Sequence, residues 1–298
     1  LGAGFFELLL QRFGIRLGID HRRDDAGETG IEKPRGGREV ADRNARQRRF
    51  SVNPHLGYGG RSSAEVPHAV LHVEDEGVEG RTVLLAGGTS AAGRSVARAL
   101  RAAGATAIVV GSDAGRLASV AEEIDGVVTE QCDLTDPDAV DALRDRVHAA
   151  HGGVDGILHL VGGWRGGGGL AGQSDEDFAF LLRSFTALRN VTRSFDEDLR
   201  TSDAGRLAIV SSTSVARPLA GGANYAAVKA ASEAWTRAVA AGFTKAARDA
   251  GRGPSAAAVV FRVKSLAGLE DALALAYLGL WDDPAEDIND VTIELAAG

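Results

Sequence analysis

The sequence predicts an α/β fold, a doubly wound parallel sheet of about seven strands preceded by a poorly structured extension. Three observations predict it. From Arg81 onward, short apolar runs alternate with Ala-rich amphipathic stretches, the pattern of strands joined by crossover helices. Runs such as "TVLLA" and "TAIVV" are apolar at nearly every position, as in strands covered on both faces. The first run passes directly into a glycine-rich turn, "AGGTSAAG" at residues 86–93.

The elements follow in order. "TVLLAGG" is read as the first strand and "AAGRSVARALRAAG" as its helix. "TAIVVGS" is the second strand, followed by a helix over "AGRLASVAEEI". "GVVTEQCDL" is the third, with a helix over "PDAVDALRDRVHAAHG". "VDGILHLVG" is the fourth, and one long helix is expected over roughly 174–200. "GRLAIVSS" is the fifth, and the long helix after it begins at "GANYAAVKAA". "SAAAVVFRV" is the sixth, "LEDALALAYLGLW" a helix and "VTIELAA" the seventh. Right-handed crossovers then place helices on both faces of a Rossmann-type sheet, whose ligands bind at the carboxyl ends of the strands.

Residues 1–80 differ. "GIDHRRDDAGETGIEKPRGGREVADRNARQRRF" mixes dense charge with few apolar residues. Such composition buries too little surface to offset ordering entropy, so the segment is expected to be largely disordered. The first dozen residues have the makings of a short amphipathic helix, and "AEVPHAVLHVEDE" of a short strand. The domain proper is expected over 81–298. "RNARQRRF" is basic, but acids are interleaved nearby and aromatics are few, so a solvated tail is the better reading.

Bulk properties narrow the classes. A hydrophobic content of 44% over 298 residues supports a substantial core. A net charge of −8 argues against nucleic acid or anionic membrane as partners. The single cysteine, Cys132, excludes an internal disulfide. No apolar run is long enough to span a bilayer. The start, "LGAGFFELLLQRF", lacks a basic leading region and is a poor signal peptide. A cytoplasmic protein is expected.

The glycine-rich turn is a candidate phosphate site. Glycine permits close backbone approach and positive φ, and free amides at a helix start attract an anion. Gly87, Thr89, Ser90, Ala91 and Gly93 would line it. The second strand ends at Gly111-Ser112, with Asp113 one place further and Arg116 nearby. An acidic tip would suit the ribose hydroxyls of NAD and a basic one the 2′-phosphate of NADP. Lack of an acid at the tip favours NADP(H) over NAD(H).

These pieces, in this order, resemble the short-chain dehydrogenase/reductase family over residues 81–298. Shared features are the turn, Asp133 after the third strand, the Gly-containing end of the fourth strand, serine after the fifth and Tyr225-x-x-x-Lys229. The resemblance implies a dinucleotide bound by Gly87, Thr89, Ser90, Ala91, Gly93, Ser112, Asp133, Leu134, Val161, Gly162, Tyr225 and Lys229. Asp133 would meet the adenine amino group, and it is also placed to cap a helix. Alanine replaces the middle glycine of the family's turn, and His159-Leu160-Val161-Gly162 stands where Asn-Asn-Ala-Gly is usual. "VGGWRGGGG" and the Ala-rich sixth strand are similar to the dihydropteridine reductase branch. An ungapped alignment puts Ser184, not Asn190, where the family has a helix asparagine. The loop and helices that usually close over the substrate are largely missing after "FRVKSLAG". Trp164 and "RGGGG" are either part of the site wall or loop packing. The family's usual dimer or tetramer forms through two long helices, here 174–200 and 222–250.

Tyr225 and Lys229 are one helical turn apart and share a face. Free tyrosine titrates near pH 10, and an adjacent ammonium with oxidised nicotinamide would lower that value. By resemblance, Ser212 polarises the substrate oxygen, Tyr225 exchanges the proton and Lys229 also holds the nicotinamide ribose. The implied function is reduction of a carbonyl or C=N substrate. The alternative is a dinucleotide-binding regulator without turnover, suggested by the altered turn, the lost asparagines and the short lid.

Overall fold

In a computed structural model of the protein, residues 77–296 are described. The expectations for the leading helix, the "AEVPHAVLHVEDE" strand and the disorder of the extension lie outside these residues, apart from a turn at 77–80. In that turn Val78 is buried against the core, and Gly80 N–H donates to the Gly104 carbonyl. The packed domain therefore takes in a few residues before Arg81.

The strands are β1 (Thr82–Ala86), β2 (Thr106–Gly111), β3 (Val128–Gln131), β4 (Gly156–His159), β5 (Arg206–Ser212), β6 (Ala257–Val263) and β7 (Thr292–Leu295). The helices are α1 (Ala91–Ala102), α2 (Ala114–Glu123), α3 (Pro137–His151), α4 (Asp175–Ser194), α5 (Asp196–Thr201), α6 (Ala223–Asp249), α7 (Glu270–Leu278) and α8 (Ala285–Ile288). The sheet order is β3-β2-β1-β4-β5-β6-β7, with every pairing parallel. Strand order reverses between β1 and β4, which opens a crevice at their carboxyl ends.

Side chains alternate across a strand, and the core divides accordingly. Val83, Leu85, Ala107, Val109, Leu158 and Phe261 pack with α1, α2 and α7. Leu84, Ile108, Ile157 and Leu207 pack with α3, α4 and α6 on the other face. The sheet is thus doubly wound, as the continuous apolar runs predict.

Several boundaries differ from expectation. The helix expected over 174–200 is broken at Phe195, whose φ of −106° and ψ of 13° interrupt it. Phe195 is fully buried, and Asp196, Glu197 and Asp198 open the next first turn, where carboxylates favour a new helix start. After β6 a short connection leads to α7, whose Ser95–Asp271 hydrogen bond of 2.5 Å ties it to α1. That helix packs with α1 on one face of the sheet. The run beyond Leu278 becomes a 3-10 turn, Gly279–Trp281, and α8 was not anticipated.

Arg206 opens β5 at the opposite, amino end. Its buried guanidinium donates to the carbonyls of Leu280, Gly205, Ser255 and Asp283. Burial pulls its pKa down to about 10. This side chain staples the ends of three segments away from the crevice.

Candidate active site

The glycine turn between β1 and α1 is built by close contacts. Gly87 has φ of +80°, and a Cβ there would lie 2.9 Å from Val161. A Cβ on Gly93 would lie 2.2 Å from the Gly88 carbonyl oxygen. Neither position tolerates a side chain, so backbone replaces side chain along this wall. Ser90 caps α1 by accepting from Gly93 N–H at 3.2 Å, and Ser90 and Ala91 are exposed at the helix start. Ala91 therefore crowds only the rim. Thr89 leans on Gly111, whose added Cβ would meet its methyl at 3.0 Å.

The other predicted binding residues follow the same edge. Ser112 is exposed at the tip of β2. Asp113 is turned away as the N-cap of α2, accepting from Arg116 N–H at 2.8 Å. Asp133 is exposed and accepts from Thr135 N–H at 2.9 Å and from its hydroxyl at 2.7 Å. These bonds hold its carboxyl below the ordinary aspartate range. The helix cap is Asp136, not Asp133, because only the Asp136 carboxylate accepts from Asp138 and Ala139. Leu134 is buried, and its carbonyl accepts from Asn190 at 3.1 Å. That bond ties α4 to the loop after β3 and takes Asn190 out of the crevice. Val161 closes on Gly87 and Gly162 is exposed. A recessed backbone cradle with an exposed polar rim along β1, β2 and β4 fits an extended phosphate-bearing dinucleotide.

Ser212, Tyr225 and Lys229 converge beside this edge. Ser212 ends β5 and is buried; its Oγ accepts from Ser214 N–H at 3.1 Å and from Ser214 Oγ at 2.9 Å. Its hydroxyl acts on the neighbouring Tyr225 phenol, lowering the phenol pKa slightly. Ser211 is excluded from this role, because its hydroxyl donates to Glu233 at 2.7 Å.

The electrostatics depart from expectation. Burial pushes the Tyr225 phenol up, against a smaller lowering by Ser212. The expected lowering by Lys229 does not operate in this arrangement. The Lys229 ammonium donates to the Val210 carbonyl at 2.8 Å and lies 5.8 Å from the tyrosine ring centroid. Burial brings Lys229 itself down to about 8, with Glu233 opposing.

Two residues the sequence reading passed over lie directly behind the lysine. Glu233, one turn beyond Lys229 and 2% exposed, is held by Arg262 at 2.8 and 2.6 Å and by Ser211. A carboxylate on an otherwise apolar helix face four residues from Lys229 was the available signal. His159, buried at the end of β4, bonds through Nε2 to the Ser184 carbonyl at 3.1 Å. A lone imidazole within "GILHLVG" was the signal there. Ser184 faces the end of β4, as its alignment suggests, but its hydroxyl donates to Leu181.

The rim loops are laced together. Gly167 N–H donates to the Gly221 carbonyl at 2.7 Å, and Gln173 bridges Gly167, Gly169 and Gly221. Trp164 is 62% exposed, with its ring close to Gly166 of the same loop. Arg165 stacks on Phe180 at 4.0 Å.

A family model described as short chain dehydrogenase matches residues 81–246. An uncharacterized oxidoreductase of Mycobacterium tuberculosis (strain ATCC 25618 / H37Rv) is 32% identical over 95 residues, 30% of this chain and 28% of that protein. Nodulation protein G of Rhizobium meliloti is 32% identical over 153 residues, 51% of this chain and 62% of that protein. These matches span less than two thirds of either relative. The structure of L-sorbose reductase from Gluconobacter frateurii, complexed with NADPH and L-sorbose, aligns with a TM-score of 0.65 at 17% identity. That alignment covers 75% of this chain and 98% of the other, a likeness of fold.

Proposed function

Because the chain belongs to the short chain dehydrogenase family, we propose that it is an NADP(H)-preferring reductase of a carbonyl or C=N substrate. The observation that carries this reading is the convergence of Ser212, Tyr225 and Lys229 beside the backbone cradle. A bound nicotinamide dinucleotide would supply the hydride. Gly87, Thr89, Ser90, Ala91 and Gly93 would hold its phosphates, and Ser112, Asp133, Leu134, Val161 and Gly162 the adjoining groups. The exposed Ser112 and Arg116, and an Asp113 carboxylate engaged as the cap of α2, support the preference for a 2′-phosphate. The NADPH complex of L-sorbose reductase, a protein of the same fold, agrees with this choice.

Tyr225 gives its proton to the substrate oxygen or nitrogen as negative charge develops there. Ser212, its oxygen held by Ser214, turns its proton to that same atom. Tyr225 stays protonated at neutral pH, since burial raises its pKa, so it enters reduction as an acid. Lys229 keeps a positive charge beneath the phenol up to its pKa of about 8. Substrate oxidation would need Lys229 to swing from Val210 toward the phenol. The assembly proposed is a dimer or tetramer through α4 and α6.

NADPH and NADH oxidation measured against ketones, aldehydes, quinones and a quinonoid dihydropterin tests the reading. Tyr225→Phe is expected to lower kcat by about 10²–10⁴-fold while NADPH binding persists. Undiminished turnover in that variant would refute the proton donor. Tight NADPH binding with no turnover in either protein would favour the non-catalytic regulator.

A further inference from the structure

His159 carries an unmet requirement. Its Nε2 faces the Ser184 carbonyl at 3.1 Å, and a carbonyl only accepts, so Nε2 bears the ring proton. Nδ1 is then a bare acceptor. It is buried and has no hydrogen-bond partner among the described residues. Burial, reinforced by the Lys229 charge, drives the histidine pKa down to about 3, so Nδ1 is not protonated in the working range. A buried acceptor left unmet costs about 1–3 kcal/mol.

The nearby donor is Lys229. Residue 159 pairs with Ile209 on β5, one residue before Val210, whose carbonyl receives the ammonium. Gly162 sits beside the same nitrogen; a Cβ there would lie 3.6 Å from Nζ. One N–H of the ammonium is used by Val210, leaving two to place. Nδ1 and Nζ are not directly bonded, and one water with two polar partners satisfies both.

We propose that His159 is a positioning residue for Lys229, its Nδ1 accepting from one buried water that in turn accepts from the lysine ammonium. The link would run from the α4 turn at Ser184, through His159, to the lysine, at the point where the family's usual asparagine is replaced by Ser184. The titratable and charged groups around the ammonium are the neutral Tyr225 and the carboxylate Glu233 on α6, the neutral His159 on β4 and, behind Glu233, Arg262 on β6. A neutral acceptor favours the charged lysine, so it partly offsets desolvation and its loss lowers the lysine pKa. This inference rests on the catalytic reading for its consequence, but its geometry stands without turnover.

The test is NMR of the cofactor-free full chain labelled with 15N-histidine and 13C-lysine. The His159 Nδ1 resonance is expected to move with the same midpoint as the Lys229 Cε resonance. His159→Leu is expected to lower that lysine midpoint by about one unit, the size of a hydrogen bond to a charged group. His159→Asn, which keeps an acceptor, is expected to restore most of it. A His159 resonance that ignores the lysine titration overturns the proposal, as does a folded His159→Leu with an unchanged midpoint. Should His159→Leu fail to fold, the wild-type histidine resonance decides alone. Tyr225→Phe separates the two claims: retained turnover there defeats the proton donor and leaves these midpoints untouched.

Discussion

Individual residues set the acid–base behaviour of this domain. His159 is neutral when folded, with a pKa of about 3, against an ordinary value of 6.5. Between those values the unfolded chain binds a proton that the folded chain refuses. Stability from this group is therefore complete above about pH 6.5 and is lost as pH falls toward 3, at roughly 1.4 kcal/mol per unit at full slope. His159→Gln is expected to flatten the fall in Tm between pH 6.5 and 5 relative to wild type; parallel curves would contradict this. Tyr277 offers a simpler case. Its hydroxyl is buried without a hydrogen-bond partner among the described residues, while its ring packs edge-on against Trp281 at 5.3 Å. Tyr277→Phe keeps the ring and removes the unmet group, so a gain of about 1 kcal/mol is expected by denaturant titration. A loss would mean a partner has been overlooked. Ser212, Tyr225 and Lys229 were singled out by the family resemblance, but the direction of the Tyr225 shift was not legible there. It depends on burial of the phenol, which only the folded chain supplies.

At the scale of elements, the two ends of the sheet do different work. The carboxyl ends carry the cradle and the candidate triad, and the amino ends carry staples such as Arg206. Arg206→Leu strands four carbonyls at the start of β5. A loss of about 3 kcal/mol is expected, with kcat of the surviving folded protein nearly unchanged, since the staple lies opposite the crevice. Calorimetry and a rate assay on one preparation check both halves. The strands and most helices were legible because period and apolar runs are local signals. The break at Phe195 was not, because a helical pattern runs through it. What ends α4 there is a ring buried on the sheet face that α4 itself covers, together with three acids that favour a new first turn. The cap of α3 was legible only as a cluster, "DLTDPD", and geometry chose Asp136 over Asp133.

At the scale of the whole molecule, the outer helices carry the surface proposed for assembly. Among the described residues no helix is long and apolar enough to cross a membrane, and no cluster suits a metal ion. Exposed Phe178 and Leu182 on α4 lie on the element proposed for assembly, and Trp235 on α6 packs edge-on with Phe185 at 6.2 Å. Light scattering is expected to give a dimer or tetramer mass, and Leu182→Arg to shift it toward the monomer. A monomeric wild type would refute the assembly.

The sequence by itself determined the class of fold, the order of the elements and the residues from which a site was to be built. Those rest on local periodicity, on glycine at a turn and on one-turn spacing. Only the tertiary structure decided where the lysine points and that His159 and Glu233 stand behind it. Those contacts join β4, β5, β6, α4 and α6, segments far apart in the chain. Their energies depend on burial and on hydrogen-bond direction, quantities that exist only once the sheet has closed around them.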